Sequence, residues 1–266
     1  MLFGVELEHV GLSPQNVAHI LSHAWNNPSR CSSRDAWGCN CPEDVEDPQG
    51  RTWECTSDGS LNDASGACEL KTPPLPFAQG LEDVLDVAQV LRAAGGRADG
   101  SCGGHVHVDA SQMRACHMRD LVEFYSQIQG RLYRAVRVRE DRHRWATFTS
   151  SYVVGSLRGL PSTRLKIWEF KETMIPAQGS RYIGLNLCSL AHHGTVEWRL
   201  FNGTLSATNL TRNVCLAVGI QRAALKGKLP SVATTDRMGT MLRASWPKKH
   251  LGVLTRFLQS WEEEGN

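Results

Sequence analysis

Near its N-terminus the chain contains a short segment in which apolar and acidic side chains alternate, Phe3-Gly4-Val5-Glu6-Leu7-Glu8. A period of two predicts a β-strand, with Glu6 and Glu8 on the same face. Two carboxylates on one strand face repel each other, and the arrangement costs little only when a cation or a proton lies between them. Mg²⁺ prefers such oxygen ligands. The segment therefore indicates either a metal site or an edge strand with one solvated acidic face.

Two further segments alternate in the same way. One places His105 and His107 on one face of a predicted strand, and another places Glu197 and Arg199 on one face. If these strands share a sheet with the first, one side of the sheet is a polar surface that can bind metal. The segment Ala67-Cys68-Glu69-Leu70-Lys71 also alternates and places Glu69 and Lys71 on one face. We predict that these four strands pair in one sheet, with Glu6, Glu69, His105 and Glu197 on one concave face.

Composition limits the classes of function. The chain has 266 residues and a formal net charge of +2, so no strong field favours nucleic acid or a membrane surface. No apolar run approaches the roughly 20 residues of a membrane span. The acidic residues Glu6 and Glu8 stand where a signal peptide needs an uncharged apolar run, so we expect a cytoplasmic protein.

The nine cysteines are an odd number, which fits free thiols or metal ligands better than a disulfide framework. Residues 26–50 are rich in Asn, Pro, Cys, Asp and Gly and predict an irregular, cysteine-rich insert. A structural Zn²⁺ site at Cys31, Cys39, Cys41 and Cys55 is one interpretation. Ordinary thiols in a loop are the favoured alternative, because no CxxC pair is present.

The rest of the chain shows helical and strand patterns without an internal repeat or a clean linker. We therefore predict a single catalytic domain over residues 1–266, with a helical C-terminal extension over residues 228–266. Helices are predicted over 13–25, 80–94 and 118–138, over about 20 residues from Ser206 or Thr208, and after the Trp246-Pro247 break. A hairpin is predicted over 52–72, and strands are predicted over 164–171 and 181–190. Residues 146–160 are predicted to form a loop.

A basic segment follows the helix predicted to end near Val138. It contains Arg139, Arg142, His143 and Arg144. Such a run is typical of a solvated helix C-terminus, where cations are favoured. A cluster that faces phosphates is the alternative.

Six motifs together resemble the amidoligase family, which belongs to the carboxylate–amine ligase superfamily with glutamine synthetase and the glutamate–cysteine ligases. They appear in family order and span residues 3–204, whereas residues 26–50 and 228–266 find no support in the resemblance. The motifs are Gly4-Val5-Glu6-Leu7-Glu8, Asp58-Gly59-Ser60-Leu61, Glu69-Leu70-Lys71-Thr72-Pro73-Pro74-Leu75, Gly104-His105-Val106-His107, Arg181-Tyr182-x-Gly184-Leu185-Asn186 and Thr195-Val196-Glu197-Trp198-Arg199.

The resemblance implies an α+β fold with a curved, mainly antiparallel sheet, a half-barrel like the catalytic domain of glutamine synthetase, with helices on its outer face. It also implies ATP and two or three Mg²⁺ ions, for which Mn²⁺ is an alternative. One ion would be shared by Glu8 and Glu69, and another by Glu6, His105 and Glu197. Asp58 falls roughly where the family places a further acidic ligand.

Other residues receive roles from the same resemblance. Arg199 would contact the transferring phosphoryl group, with Glu197 and Glu69 as the acidic catalytic residues. The residues that would contact the nucleotide are His107, Arg181, Asn186 and Lys71.

The implied activity is ATP-dependent formation of an amide bond through an acyl phosphate. The substrates would be a carboxylate and an amine, from an amino acid, a peptide or a cell-wall fragment, with no nucleic acid or membrane partner. Two alternatives stay open: a metal-dependent hydrolase that uses the same Glu/His ligands, and a non-catalytic nucleotide-binding homologue. The absence of an HExxH motif gives no support to the hydrolase, and the presence of all the expected acidic, imidazole and guanidinium groups argues against the non-catalytic homologue.

Overall fold

The computed structural model of the protein describes residues 1–26, 44–61, 66–158 and 167–265. Within these residues the chain has an α+β fold with an open sheet of eight strands, which confirms the predicted class. The strands are β1 (Leu2–Val10), β2 (Asp44–Glu46), β3 (Thr52–Thr56), β4 (Ala67–Lys71), β5 (Leu75–Pro76), β6 (Gly103–Asp109), β7 (Leu185–Asn186) and β8 (Thr195–Asn202). The α-helices are α1 (Pro14–Ala24), α2 (Phe77–Ala93), α3 (Ala115–Ala135), α4 (Ser151–Arg158), α5 (Ile167–Gln178), α6 (Ser189–His192), α7 (Ala207–Leu225), α8 (Thr235–Arg243) and α9 (Leu251–Glu263).

The chain divides into two compact units. The first unit comprises Leu2–His105 and Asn202–Leu210, and the second comprises Val106–Phe201 and Thr211–Asn266, together with Met1. β6 contributes its first three residues to the first unit and its last four to the second. The single catalytic domain over residues 1–266 stays a prediction.

In the first unit the strand order is β2-β3-β4-β1-β6, with β5 also beside β1. The pairs β2–β3, β3–β4, β1–β4 and β1–β5 are antiparallel. The pairing of β3 with β4 confirms the hairpin predicted over residues 52–72. Because side chains alternate along each strand, this register decides which residues meet on each face.

Two helices cover the apolar face of the first unit's sheet. α1 packs on β2, β3 and β4, and α2 packs on β1 and β5. The Ser13 hydroxyl accepts a hydrogen bond from the Asn16 backbone at 3.2 Å, and Pro14 occupies the first turn of α1, as the sequence predicts. α2 begins at Phe77, ahead of the predicted position 80. Apolar residues of both helices and of β1 form the core: Val17, Leu21, Leu81, Val84, Ala88, Leu91, Phe3, Val5 and Leu7.

The second unit holds the strand order β6-β8-β7 and most of the helices. Val196, Trp198 and Leu200 of β8 are fully buried, and the Trp198 ring lies edge-on to Tyr125 of α3 at 5.7 Å. α3 also packs against α4 and α9, and α8 packs against α9. The predicted helices in this region are confirmed as α3, α7 and α9.

The strand predicted over residues 164–171 is wrong, because the structure has α5 from Ile167 onward. Alternation over a few residues favoured a strand. In α5, however, Phe170, Met174 and Gln178 are all buried, and their spacing of four residues is that of one helix face. Residues 159–166 lie outside the described part of the chain.

Three other expectations also need correction. The strand predicted over 181–190 shrinks to the two residues of β7, because α6 already begins at Ser189. The loop predicted over 146–160 contains α4. The structure also contains α8, a short helix that was not predicted and whose first turn is capped by the Thr234 hydroxyl. Short elements carry few periods of pattern, which is why the sequence did not reveal them.

The cysteine-rich insert lies largely outside the described residues, including Cys31, Cys39 and Cys41. Ordinary thiols therefore stay the favoured prediction for the insert, with the zinc site as the alternative. Its remaining member, Cys55, is buried on the apolar face of β3. Among the residues that the structure describes, no helix combines the length and the hydropathy needed to cross a membrane.

Candidate active site

The first unit carries three carboxylates on the polar face of β1 and β4. Glu8 lies directly opposite Glu69, and Glu6 lies opposite Lys71. The residues between them on each strand point to the other face and are buried in the core. The alternation seen in the sequence is therefore what gathers these carboxylates on one surface.

His105 of β6 contacts two of these carboxylates. Its Nδ1 lies 2.6 Å from Glu6 Oε2, and its Nε2 lies 3.5 Å from Glu8 Oε1. The Gly103 backbone N–H donates to Glu8 Oε2 at 2.5 Å. His105 and Glu8 are both buried. The imidazole is thus fixed between two acidic groups, and Glu8 keeps a defined orientation.

Glu69 lies in the most crowded part of this cluster. Burial and the neighbouring Glu6 carboxylate raise the pKa of Glu69, and the Lys71 ammonium, 3.0 Å away, offsets this only in part. The Thr56 hydroxyl donates to Glu69 at 3.3 Å. Repulsion of this kind falls when a cation binds between the carboxylates. The cluster therefore has the electrostatic character of a cation site.

Among the described residues of the first unit, two groups of donor atoms are compact enough to hold a metal ion. Glu6, Glu69 and His105 each offer one ligand atom, and these atoms lie within 4.8 Å of one another. Glu8, Asp58 and Glu69 form a second group within the same limit. Carboxylate oxygens with one imidazole suit Mg²⁺ or Mn²⁺. The chemistry of the donor set therefore fits the ion that the resemblance implies.

Asp58 reaches this cluster from the loop after β3. Its carboxylate accepts a hydrogen bond from the Ser60 backbone at 2.8 Å, and its carbonyl accepts one from Leu61 at 3.1 Å. These bonds form a tight turn, as the Asp-Gly pair in the sequence indicates. The turn fixes the backbone from which the carboxylate projects.

In the second unit, Glu197 of β8 is buried and receives two short hydrogen bonds. The Asn186 amide donates to Oε2 at 2.6 Å, and the Arg199 guanidinium donates to Oε1 at 2.6 Å. Asn186 lies directly opposite Glu197 in the β7–β8 pair. Both carboxylate oxygens retain further lone pairs, because an ionised carboxylate accepts about four hydrogen bonds or metal bonds. Glu197 is therefore oriented and still able to bind a cation.

A buried amide network sets the orientation of Asn186. Its Oδ1 accepts hydrogen bonds from the Gln178 side chain and from the Cys188 backbone, each at 2.9 Å. Gln178 in turn accepts the Leu187 backbone N–H at 2.8 Å. Because Oδ1 is used in this way, the NH₂ group faces Glu197. The network fixes a donor beside the carboxylate without adding charge.

His107 is held by two hydroxyl groups. Its Nδ1 lies 3.0 Å from Thr195 Oγ1 and 3.2 Å from Ser189 Oγ, and these hydroxyls are 2.7 Å apart. Its Nε2 lies 3.9 Å from Glu197 Oε1. The hydroxyls fix the ring through one nitrogen, so the other nitrogen lies on the side of Glu197.

Arg199 is only 11% exposed. Its guanidinium lies over the Tyr182 ring, 5.7 Å from the centroid. Its backbone is also fixed, because its N–H donates to the Gly184 carbonyl at 2.9 Å and its carbonyl accepts from Arg142 at 3.2 Å. Ring, carboxylate and backbone contacts together limit the positions that the guanidinium can take.

Comparison with known protein families decides how this arrangement is classified. A family model described as "putative amidoligase enzyme" matches residues 1–221, which is most of the chain. The chain belongs to this family. A search of curated proteins gave no match. The amidoligase family is one of enzymes that form amide bonds, and the residues described above all lie within the matched segment.

Three residues for which the amidoligase resemblance implied nucleotide contacts make contacts with neighbouring side chains in the structure. Lys71 pairs with Glu69, and Asn186 donates to Glu197. Arg181 is exposed, with its guanidinium 5.2 Å from the centroid of the Tyr182 ring. These contacts assign Asn186 to the positioning of Glu197. Nucleotide contacts for all three, and for His107, stay predictions.

Several residues of this candidate site were missed in the sequence. Gln178 lies beyond the strand predicted over 164–171, in a stretch for which no element was predicted, so no pattern pointed to it. Ser189 and Thr195 carry no signal beyond being small polar residues. Arg142 stood out only as one of several basic residues between 137 and 144. Arg142 is the buried one among these basic residues; Arg139 is half-buried, and Arg137, His143 and Arg144 are exposed. No sequence pattern predicts this difference.

Proposed function

We propose that this amidoligase is an ATP- and Mg²⁺-dependent carboxylate–amine ligase that forms an amide bond through an acyl phosphate. The observation that supports it best is the pair of compact donor groups built from Glu6, Glu8, Asp58, Glu69 and His105. A binding module has no need of such a crowded set of carboxylates around a buried imidazole. An enzyme that handles a polyphosphate does, because it must bring cations to the phosphates.

The metal ligands would come from the two donor groups of the first unit. Glu8, Asp58 and Glu69 would hold one ion, and Glu6, Glu69 and His105 would hold another. Glu197 would contribute a carboxylate to an ion on the phosphates. When bound, Mg²⁺ supplies positive charge that offsets the repulsion among phosphate oxygens and polarises the transferring phosphoryl group.

The reaction that we propose has two steps. A substrate carboxylate oxygen attacks the γ-phosphorus of ATP, the bond to the bridging oxygen breaks, and ADP leaves. An amine nitrogen then attacks the carbonyl carbon of the acyl phosphate, and phosphate leaves as the amide forms. The amine loses a proton in this second step. Positioning and electrostatic stabilisation are the main contributions that a protein can make to such a reaction.

Arg199 has the clearest role among the side chains of the second unit. Negative charge that grows on the equatorial oxygens of the phosphoryl group is stabilised by a fixed guanidinium. Glu197 and the Tyr182 ring hold Arg199, and Asn186 holds Glu197. The guanidinium is therefore oriented before ATP binds, which lowers the cost of reorganisation during transfer.

The proposal extends to the fold and to the substrates. It includes the half-barrel architecture of the glutamine synthetase catalytic domain, ATP as the nucleotide, and a carboxylate and an amine as substrates. An amino acid, a peptide and a cell-wall fragment are the candidate classes, because pockets for such groups are built by variable loops.

The test is ADP formation at saturating MgATP with a pool of amino acids and short peptides, combined with calorimetric affinity for ATP. Arg199→Ala should lower kcat by roughly 10²-fold or more while ATP affinity changes little, because the lost interaction strengthens in the transition state. Arg199→Lys should restore little activity, since an ammonium does not reproduce the guanidinium fork. Glu197→Gln should weaken Mg²⁺ dependence and ATP affinity together.

The matched control is Arg256→Ala, which removes the same group from the exposed face of α9 and should leave both measurements unchanged. Wild-type protein that binds no ATP would exclude the ligase and favour the hydrolase or the non-catalytic homologue. Near-normal turnover in Arg199→Ala would remove Arg199 from the mechanism.

A further inference from the structure

A pocket lies in the C-terminal part of the chain, away from the residues of the candidate active site. Its volume is about 410 Å³, and its lining residues fall between Arg222 and Ser245. The family match ends at residue 221, so the segment that builds this pocket begins where the match stops. Pockets that bind small molecules span roughly 300–1,000 Å³, so this one has the size of a ligand site.

The wall on one side is the end of α7 and the turn that follows it. Gly227 adopts a left-handed φ of 60°, which ends the helix. The Gly227 N–H donates to the Ala224 carbonyl at 3.0 Å, and the Lys228 N–H donates to the Ala223 carbonyl at 2.8 Å. This pair of bonds is a Schellman motif, and it fixes the backbone from which Lys226 and Lys228 project. Both lysines line the pocket.

The charges around the pocket are unbalanced. Arg222, Lys226, Lys228 and Arg237 face a single acidic residue, Asp236. In the described part of the chain, no ion pair involves Lys226, Lys228 or Asp236. The end of α7 attracts cations through its dipole, which accounts for the lysines in part.

Arg237 is not explained by a helix dipole. It occupies the first turn of α8, where the dipole disfavours a cation and favours an anion. Its guanidinium donates to the Ser231 hydroxyl at 3.4 Å, which gives it one neutral partner. Arg237 lines the same pocket as Lys226 and Lys228, and Asp236 offsets only one of these three positive charges, so the pocket favours an anion.

The remaining lining is largely apolar. Ala223 and Met241 are buried in the wall, and Pro230 and Ala244 complete it. Thr240 and Ser245 are the other polar members of the lining, so the pocket offers cationic side chains together with hydrocarbon. This combination suits a molecule that has an anionic head and an apolar body.

We propose that this pocket binds a small organic anion, a carboxylate or phosphate ester with an apolar portion. Lys226, Lys228 and Arg237 bind the anionic group, and Ala223, Met241 and Ala244 contact the apolar part. The residues of this pocket are not among those assigned to amide-bond formation, so this proposal can be tested independently of that function.

The test is a calorimetric titration of hexyl phosphate into the full chain. Inorganic phosphate and 1-hexanol, which represent the anionic and apolar halves of this probe, are titrated separately. Hexyl phosphate should bind at least tenfold more tightly than either half. The variant Lys226→Gln/Lys228→Gln should bind it at least tenfold more weakly. Ala244→Trp, which fills the apolar wall and keeps every charge, should also weaken binding at least tenfold.

The matched control is Arg243→Gln/Lys248→Gln, which removes two exposed positive charges near α8 that do not line the pocket. It should change the affinity less than twofold. The proposal is overturned if the wild-type chain does not bind hexyl phosphate, if the control weakens binding as much as the lysine variant, or if phosphate alone binds as tightly as the ester.

Discussion

Gly184, two residues before Asn186, is packed against two tyrosine hydroxyls. A Cβ at this position would meet the hydroxyls of Tyr133 and Tyr125. Both rings are buried, and the Tyr133 hydroxyl donates to the Ala146 carbonyl at 2.7 Å. Burial raises the pKa of Tyr133 to about 12, so the phenol stays protonated and remains a donor. The glycine in the Arg-Tyr-x-Gly-Leu-Asn motif is therefore explained by a close approach to rigid side chains.

We predict that Gly184→Ala destabilises the protein by about 1–3 kcal/mol, because an extra methyl group in a packed core forces side chains or backbone to move. Urea unfolding of purified protein measures the effect. In a Tyr125→Phe/Tyr133→Phe background the same substitution should cost less, since both clashing oxygens are gone.

Gly155→Ala in α4 is the matched control for this prediction. Nothing lies within 4 Å of a Cβ at Gly155, so alanine should be neutral or slightly stabilising there. If Gly184→Ala unfolds at the same urea concentration as the wild type, the packing explanation of this glycine is wrong.

At the level of a single structural element, the turn between β2 and β3 is organised by one carboxylate. Asp47 is buried and accepts hydrogen bonds from the Gln49 and Arg51 backbones, the Arg51 guanidinium and the Trp53 indole, at 2.7–3.1 Å. Gly50 supplies the left-handed φ of 73° that the turn requires. Burial alone would raise the pKa of Asp47, but the hydrogen bonds from Arg51 and Trp53 outweigh it, and the pKa is lowered.

A pH dependence of stability follows from this turn. A lowered folded-state pKa means that ionised Asp47 stabilises the native state above the unfolded-state pKa of about 3.9, and that this contribution is lost as pH falls through the folded pKa. Asp47→Asn should therefore cost about 2 kcal/mol at pH 7 and progressively less between pH 4 and pH 2. Thermal or urea unfolding of both proteins across this range measures the difference.

Asp86→Asn, on the exposed side of α2, is the control for Asp47. It should shift stability by less than about 0.5 kcal/mol at any pH, as expected for an exposed site. A cost of Asp47→Asn that stays constant down to pH 2 would show that ionisation of this carboxylate is not the source of its stabilising effect.

For the molecule as a whole, the C-terminal extension is part of the core of the second unit rather than an appendage. α9 packs against α3, and its Trp261 is fully buried. The Arg131 guanidinium lies 4.5 Å from the centroid of the Trp261 ring and donates to the Trp261 carbonyl at 2.6 Å. The Trp261 indole donates to the Ala233 carbonyl at 3.1 Å, which ties α9 to the segment before α8.

We therefore expect Trp261→Ala to cost about 3–5 kcal/mol, the usual range for deleting a large buried aromatic side chain. The urea midpoint of the full chain is the measurement, and Glu263→Ala, exposed on the same helix, is the control. A cost below about 1 kcal/mol would mean that the C-terminal helix contributes little to the core of the second unit.

Local periodicity in the amino-acid sequence was enough to predict the features that repeat along one element. The alternation in β1, β4 and β8 specifies which side chains share a face of one strand, such as Glu6 with Glu8 and Glu69 with Lys71, whereas the pairing of β1 with β4 brings these two sets together. The Ser13-Pro14 cap and the long apolar stripes of α2, α3 and α7 could be predicted in the same way. These signals work because a strand or helix repeats its geometry every two or 3.6 residues.

Tertiary packing, in contrast, determines which distant groups hold the site residues in place. Asn186 orients Glu197 because the two-residue strand β7 pairs with β8 at these positions. Gln178 orients Asn186 from the end of α5, a helix whose first residues were predicted to be a strand. Arg142 is buried beside Arg199, while its neighbours His143 and Arg144 are exposed. Such contacts leave no periodic pattern in the sequence. A hydrogen bond between residues far apart in sequence depends on tertiary packing and strand register, and local periodicity reports neither of these.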